Sequence, residues 1–110
     1  MKIVIDAFGG DYSPEEIVKG AVTAVNLIDE VEIILTGDKE RIDSLLDEIG
    51  YRGNRIEVVH APEVISNNES PTMAIRRKTE SSLVKALTIL KERDDVIGMV
   101  SAGSTGAVLA

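Results

Sequence analysis

Four short apolar runs, each separated from the next by a stretch with helical periodicity, constrain this chain more than any other feature. The runs are Lys2-Ile3-Val4-Ile5-Asp6, Glu32-Ile33-Ile34-Leu35-Thr36, Arg55-Ile56-Glu57-Val58-Val59-His60 and Val96-Ile97-Gly98-Met99-Val100. They are rich in β-branched residues and nearly continuous in apolar character, as strands buried on both faces of a parallel sheet are. Strand and helix alternate four times. Such alternation implies parallel strands, right-handed crossovers and helices on both faces of the sheet. The predicted fold class is therefore α/β. No repeat, low-complexity tract or linker interrupts the pattern, so residues 1–110 read as one unit with no internal boundary.

The helix signals are local. Ser13 suits an N-cap, Pro14 the first helical position, and Glu16 completes a capping box. The helix after it places Ile17, Ala21, Ala24 and Ile28 on one face, with Val18 and Val25 beside them. Asp38 is placed to cap a second helix, in which Ile42, Leu45, Leu46 and Ile49 follow the i, i+3, i+4, i+7 spacing, and Gly50 suits its C-cap region. Residues 61–70 read as a polar loop with Asn67-Asn68 as its turn signal. Ser70-Pro71 opens a third helical region that breaks at Thr79-Glu80-Ser81-Ser82, poor interior residues but a good fresh N-terminus. Leu83, Ala86, Leu87 and Leu90 then form an apolar face. After the fourth run, Ser101-Ala102-Gly103-Ser104-Thr105-Gly106 turns into the start of another helix.

Composition removes several function classes. Hydrophobic residues make up 44% and charged residues 28% of the chain, a globular and not a disordered balance. With one Phe and two Tyr, the core has to be built from Ile, Val, Leu and Ala. The absence of cysteine excludes disulfides and thiolate zinc sites, and the single His60 excludes a multi-histidine metal site within these residues. No metal and no cofactor are expected. A net charge of −7 argues against general nucleic-acid binding. No signal-peptide pattern and no apolar run of spanning length is visible. The one basic knot is Arg76-Arg77-Lys78, which suits either a solvated helix face or a patch that meets an anionic ligand or an acidic protein.

Ligands of open parallel sheets bind outside the carboxyl ends of the strands. Three segments carry polar groups there. The first holds Asp6, Gly9, Gly10 and Asp11, carboxylates that suit metal binding, acid–base work or simple turn formation. The second is Lys78-Thr79-Glu80-Ser81-Ser82, where helix amides, serine hydroxyls and an ammonium group can hold phosphate. The third is the Ser101 to Gly106 turn, whose small residues let an anion approach backbone N–H groups. It is neither a Walker A loop nor GxGxxG. No His or Cys is placed to activate a nucleophile. Anion binding and stabilisation of transition-state charge are therefore favoured over a covalent intermediate.

At these segments the chain resembles the bacterial phosphate acyltransferase family, the acyl-carrier-protein:phosphate transacylases of phospholipid synthesis. The opening from Lys2 through Asp6-Ala7-Phe8-Gly9-Gly10-Asp11-Tyr12-Ser13-Pro14-Glu15-Glu16 to Ala21 is similar to the family's N-terminus throughout. Arg76-Arg77-Lys78-x-x-Ser81-Ser82 resembles its central motif and Ser101-Ala102-Gly103-Ser104-Thr105-Gly106-Ala107 its third. Phe8 replaces an expected Met, and Ser104 an expected Asn, exchanging an amide for a hydroxyl. The resemblance implies that inorganic phosphate attacks an acyl–acyl-carrier-protein thioester to give acyl phosphate. It implies a fold akin to the isocitrate/isopropylmalate dehydrogenase and phosphotransacetylase group, a homodimer, and a cytoplasmic enzyme able to associate peripherally with the membrane. Family members run to roughly three times this length, so these residues would be the N-terminal part. Carried onto this sequence, it assigns Lys78 and Asp6 to catalysis. Gly9, Gly10, Asp11, Ser81, Ser82, Ser101, Gly103, Ser104, Thr105 and Gly106 fall to substrate binding. The alternatives are a phosphotransacetylase-like enzyme acting on acyl-CoA and a non-catalytic phosphate-binding module.

Overall fold

The computed structural model describes residues 1–7, 14–62 and 81–101. Their elements are β1 (Lys2–Asp6), α1 (Glu15–Leu27), β2 (Glu32–Gly37), α2 (Lys39–Ile49), β3 (Ile56–His60), α3 (Ser82–Glu92) and β4 (Val96–Val100). All three strand pairings are parallel, and the sheet order is β3-β2-β1-β4. The chain steps outward from β1 through β2 to β3, then returns past β1 to add β4 on the far side. With crossovers of one hand, that reversal has to move the connecting helix to the opposite face. α1 and α2 accordingly share one face and α3 has the other.

The period of two along each strand divides its side chains between those faces. Ile5, Ile33, Leu35, Ile56 and Val58 join Val18, Ala21, Val25, Ile42 and Leu45 in the core under α1 and α2. Val4, Ile34, Val59 and Met99 join Ala86, Ile89, Leu90 and Val96 under α3. Burial on both faces is the reason the strands lack polar alternation in the sequence.

Two expectations for α1 are corrected. Pro14, with φ −87° and ψ −3°, occupies the cap position itself, and its carbonyl accepts the first helical bond from Val18 N at 2.9 Å. The predicted Ser13 cap lies outside the described residues, and Glu16 pairs with Lys19 at 3.6 Å. The buried stripe is Val18, Ala21, Val22 and Val25, whereas Ile28 is 50% exposed. α1 is apolar over most of its circumference, so two stripes fit the helical period equally well. How the helix lies on the sheet chose between them.

The α2 signals hold. Asp38 accepts a bond from Arg41 N at 3.4 Å, and Gly50 closes the helix at φ +86°, a left-handed position that glycine adopts without a Cβ penalty. Arg55, expected only to open the third strand, instead caps α1. Its guanidinium donates to the carbonyls of Ile28, Asp29 and Val31 at 2.9–3.2 Å and also to that of Val25. α3 begins where the sequence breaks. Ser81 is its N-cap and accepts from Val84 N at 3.2 Å.

Exposed ion pairs fasten the amino end of the α3 face. Lys2 Nζ meets Asp95 at 2.9 Å, and Arg93 reaches Glu57 at 3.1 Å and Asp95 at 3.6 Å. Hydrogen bonding to Lys2 holds the Asp95 carboxyl below its ordinary pKa, and hydrogen bonding to Asp95 raises Lys2. Arg93 is raised chiefly by its bond to Glu57. Among the described residues, no helix is long and apolar enough to cross a membrane.

Candidate functional site

The order β3-β2-β1-β4 places its switch point between β1 and β4. Asp6 ends β1 and Ser101 directly follows β4, so both stand at the carboxyl end of that seam. Ser101 Oγ donates to Asp6 Oδ2 at 3.0 Å across 95 residues of sequence. Parallel pairing of Ile5 with Val100 in the neighbouring register brings the two side chains together. The described members of the first and third predicted segments, Asp6 and Ser101, therefore meet at this point.

The second segment arrives from above. α3 crosses the same face with its N-terminus at the carboxyl end of the sheet, and Ser81 and Ser82 start it. Ser81 is fully buried and Ser82 is 2% exposed. Thr36, which sequence reasoning passed over, ties this helix start to β2. Thr36 pairs with Asp6 in the β1–β2 register, is fully buried, and donates its hydroxyl to the Ser82 carbonyl at 2.7 Å. Asp6 and Thr36 share the face of Val4 and Ile34 by alternation, so both look toward α3.

Asp6, Thr36, Ser81 and Ser82 are all the buried polar or charged residues among those described. They form one group at one end of one face. Burying polar groups opposes folding unless they are hydrogen-bonded, and a structural core has no need of them. The group holds a carboxylate, several hydroxyls and the positive end of a helix dipole. First-turn N–H groups have no partner within a helix, and Ser81 answers that of Val84. Such an arrangement can orient donors around an anion. It offers no imidazole or thiol. The one histidine, His60, lies two strands away, where its Nδ1 accepts from Lys39 N at 3.2 Å. No set of three His, Cys, Asp or Glu able to hold a metal occurs among the described residues.

Of the predicted site residues, Asp6, Ser81, Ser82 and Ser101 are thus brought to the β1–β4 seam and the α3 N-terminus. Lys78, Gly9, Gly10, Asp11, Gly103, Ser104, Thr105 and Gly106 lie outside the described residues, as do Arg76 and Arg77. No signal in the sequence marked Thr36, because a threonine closing an apolar run is an ordinary strand residue.

The whole chain, residues 1–110, matches the family described as fatty acid synthesis protein. It is 50% identical over 110 residues to the phosphate acyltransferase of Clostridium botulinum (strain Loch Maree / Type A3), covering 100% of this chain and 32% of that protein. It is 51% identical to the phosphate acyltransferase of Clostridium tetani and 44% identical to that of Halothermothrix orenii, in each case over all of this chain and 33% of the relative. The chain spans about a third of the length of the curated relatives it matches.

Proposed function

The chain belongs to the fatty acid synthesis protein family, and from that premise we propose that the whole protein is a phosphate acyltransferase of phospholipid synthesis. The observation that carries the reading is the end-to-end match of these residues to relatives bearing that name, at 44–51% identity. The buried polar group at the β1–β4 seam supports it, because it supplies what the chemistry asks for. A phosphate oxygen adds to the carbonyl carbon of an acyl thioester. The tetrahedral oxyanion collapses, the carbon–sulfur bond breaks, and the thiolate leaves and takes a proton from water. Phosphate at neutral pH is already an anionic nucleophile and thiolate a good leaving group, so no strong base is required. Position and charge stabilisation are what remain.

In this proposal Ser81, Ser82, Ser101 and the amides of the α3 start surround the phosphate, joined by Gly9, Gly10, Gly103, Ser104, Thr105 and Gly106. Lys78 balances its charge. Asp6, with Asp11, orients the donors instead of facing phosphate. The acyl donor is an acyl carrier protein, an acidic partner that the Arg76-Arg77 pair is suited to meet. The protein acts as a cytoplasmic homodimer able to associate peripherally with the membrane, which the resemblance of its motifs supports.

The test is acyl-phosphate formation by the full-length protein, trapped as hydroxamate with hydroxylamine. Product that requires both acyl-carrier protein and phosphate is expected. Equal turnover of acyl-CoA would reassign the donor, and no product from any thioester would overturn the reading.

A further inference from the structure

We propose that Thr36 is a positioning residue for the phosphate subsite, acting through α3. The inference rests on the reading of the β1–β4 seam as that subsite. Thr36 sits in β2 in the row of Ile34, facing α3, at a fully buried position where valine would have the same shape. Packing alone therefore explains the β-branched side chain but not its hydroxyl. The hydroxyl donates to Ser82 O at 2.7 Å. Ser82 heads an α-helix, so its carbonyl already serves the ladder through one lone pair, and the Thr36 bond engages the second. The carbonyl is thus not an orphan that Thr36 was needed to satisfy. What the bond adds is a fixed distance between the first residue of α3 and the strand ends.

That distance matters because the subsite is built from separate elements. Ser81 and Ser82 come from α3, Ser101 follows β4, and Asp6 ends β1. The pairing of Asp6 with Thr36 puts the anchor in the strand next to Asp6. Among the described residues, α3 also meets the sheet through Ala86, Ile89 and Leu90 and, near its other end, through the ion pairs of Arg93, while Leu83 is buried in its first turn and Ser81 forms a β-bridge. Apolar burial is non-directional, so the Thr36 hydroxyl adds a directional side-chain bond from β2 to the first residue of the helix. A β-branched side chain has a stiff χ1, which makes threonine a better fixed anchor than serine and leaves both able to donate.

The experiment uses Thr36→Val and Thr36→Ser in the full-length protein. Three readouts are taken: inorganic phosphate binding by calorimetry, steady-state kinetics with phosphate and acyl donor varied separately, and amide hydrogen exchange. For Thr36→Val, the phosphate Kd and KM are expected to rise about three- to ten-fold, the consequence of one lost buried hydrogen bond. The KM for the acyl donor should stay unchanged, and exchange should quicken in the first turn of α3. Thr36→Ser should recover most of the phosphate affinity. A Thr36→Val protein that unfolds at lower temperature but keeps its phosphate affinity would overturn the proposal and leave a packing role. Wild-type protein that binds phosphate without making acyl phosphate would overturn the acyltransferase reading while the Thr36 comparison still stands on binding. Wild-type protein that binds no phosphate would overturn the subsite and this inference together.

Discussion

The two faces of the sheet are built from different materials. Under α1 and α2 the buried core is wholly apolar: Ala7, Val18, Ala21, Val25, Val31, Ile33, Leu35, Ile42 and Leu45. Under α3 the described buried apolar cluster is Val4, Ile34, Ala86 and Val96, with Leu83 also buried in the helix, and every buried polar residue among those described is found on this side. The first face is what hydrophobic burial alone would select. Among the described residues, the second carries a carboxylate and hydroxyls at its carboxyl end and ion pairs at its amino end. On the proposed reading the difference separates stability from function: one face is an apolar core, the other carries the polar seam.

The largest effect should come from the apolar face. Ile42 is fully buried in α2 within the larger core. Ile42→Ala removes three carbon atoms from a close-packed region and should destabilise the protein by about 2–5 kcal/mol. Urea denaturation of the full-length protein would read this as a lower midpoint. The KM for phosphate of the folded enzyme should stay the same. A raised KM would break the separation of the faces.

Asp6 is expected to give the opposite split. Its carboxylate is 3% exposed and accepts the Ser101 hydroxyl. Hydrogen bonds to charged groups contribute about 1.5–3 kcal/mol, so Asp6→Ala should lower kcat/KM by roughly ten- to a hundred-fold. Stability should change less than in Ile42→Ala, because removing a buried charge also removes its desolvation cost. Equal losses of stability and activity would mean that Asp6 is only part of the scaffold.

Ser81 tests the border between the two roles. It caps α3 through Val84 N. Ser81→Ala should cost about 1 kcal/mol of stability and Ser81→Gly a few tenths. If Ser81 also contacts phosphate, both variants should raise the phosphate KM to a similar extent, although their stabilities differ. A KM that tracks the stability loss would confine Ser81 to capping.

What the sequence could and could not say follows the range of each signal. The strands, the Asp38 cap, the Gly50 stop and the restart of the helix at Ser81 were all legible, because each depends on residues within one or two turns. The choice between the Ile17–Ile28 stripe and the Val18–Val25 stripe of α1 was not, since both have helical spacing and only the sheet distinguishes them. Arg55 read as a strand opener because its carbonyl partners are 24 to 30 residues away. At the seam, Asp6, Ser81, Ser82 and Ser101 could be nominated by residue type and position after a strand or before a helix. Thr36 could not. Its role depends on β1 lying beside β2 with Asp6 in register, and on α3 crossing that face, facts of topology that no local pattern encodes.

The smallest effect concerns the amino end of the α3 face, where Lys2 and Asp95 pair in solvent. Asp95 has a folded-state pKa below its ordinary 3.8, owing first to the Lys2 hydrogen bond. A depressed carboxyl contributes stability that is present above its unfolded pKa and is lost as pH falls through the folded value. Lys2, raised by the same bond, contributes stability present below its unfolded pKa and lost only in strong alkali. Asp95→Asn should therefore lower the thermal midpoint slightly near pH 6, and the difference from wild type should close as pH approaches about 2. High salt should shrink it as well, since Asp95 is exposed to screening and Lys2 partly so. The phosphate KM should not respond, because the pair lies at the end of the face opposite the seam. A gap that persists at the acid limit would mean that Asp95 acts through something other than this ion pair. A change in phosphate KM would mean that the two ends of the α3 face are coupled through the helix itself.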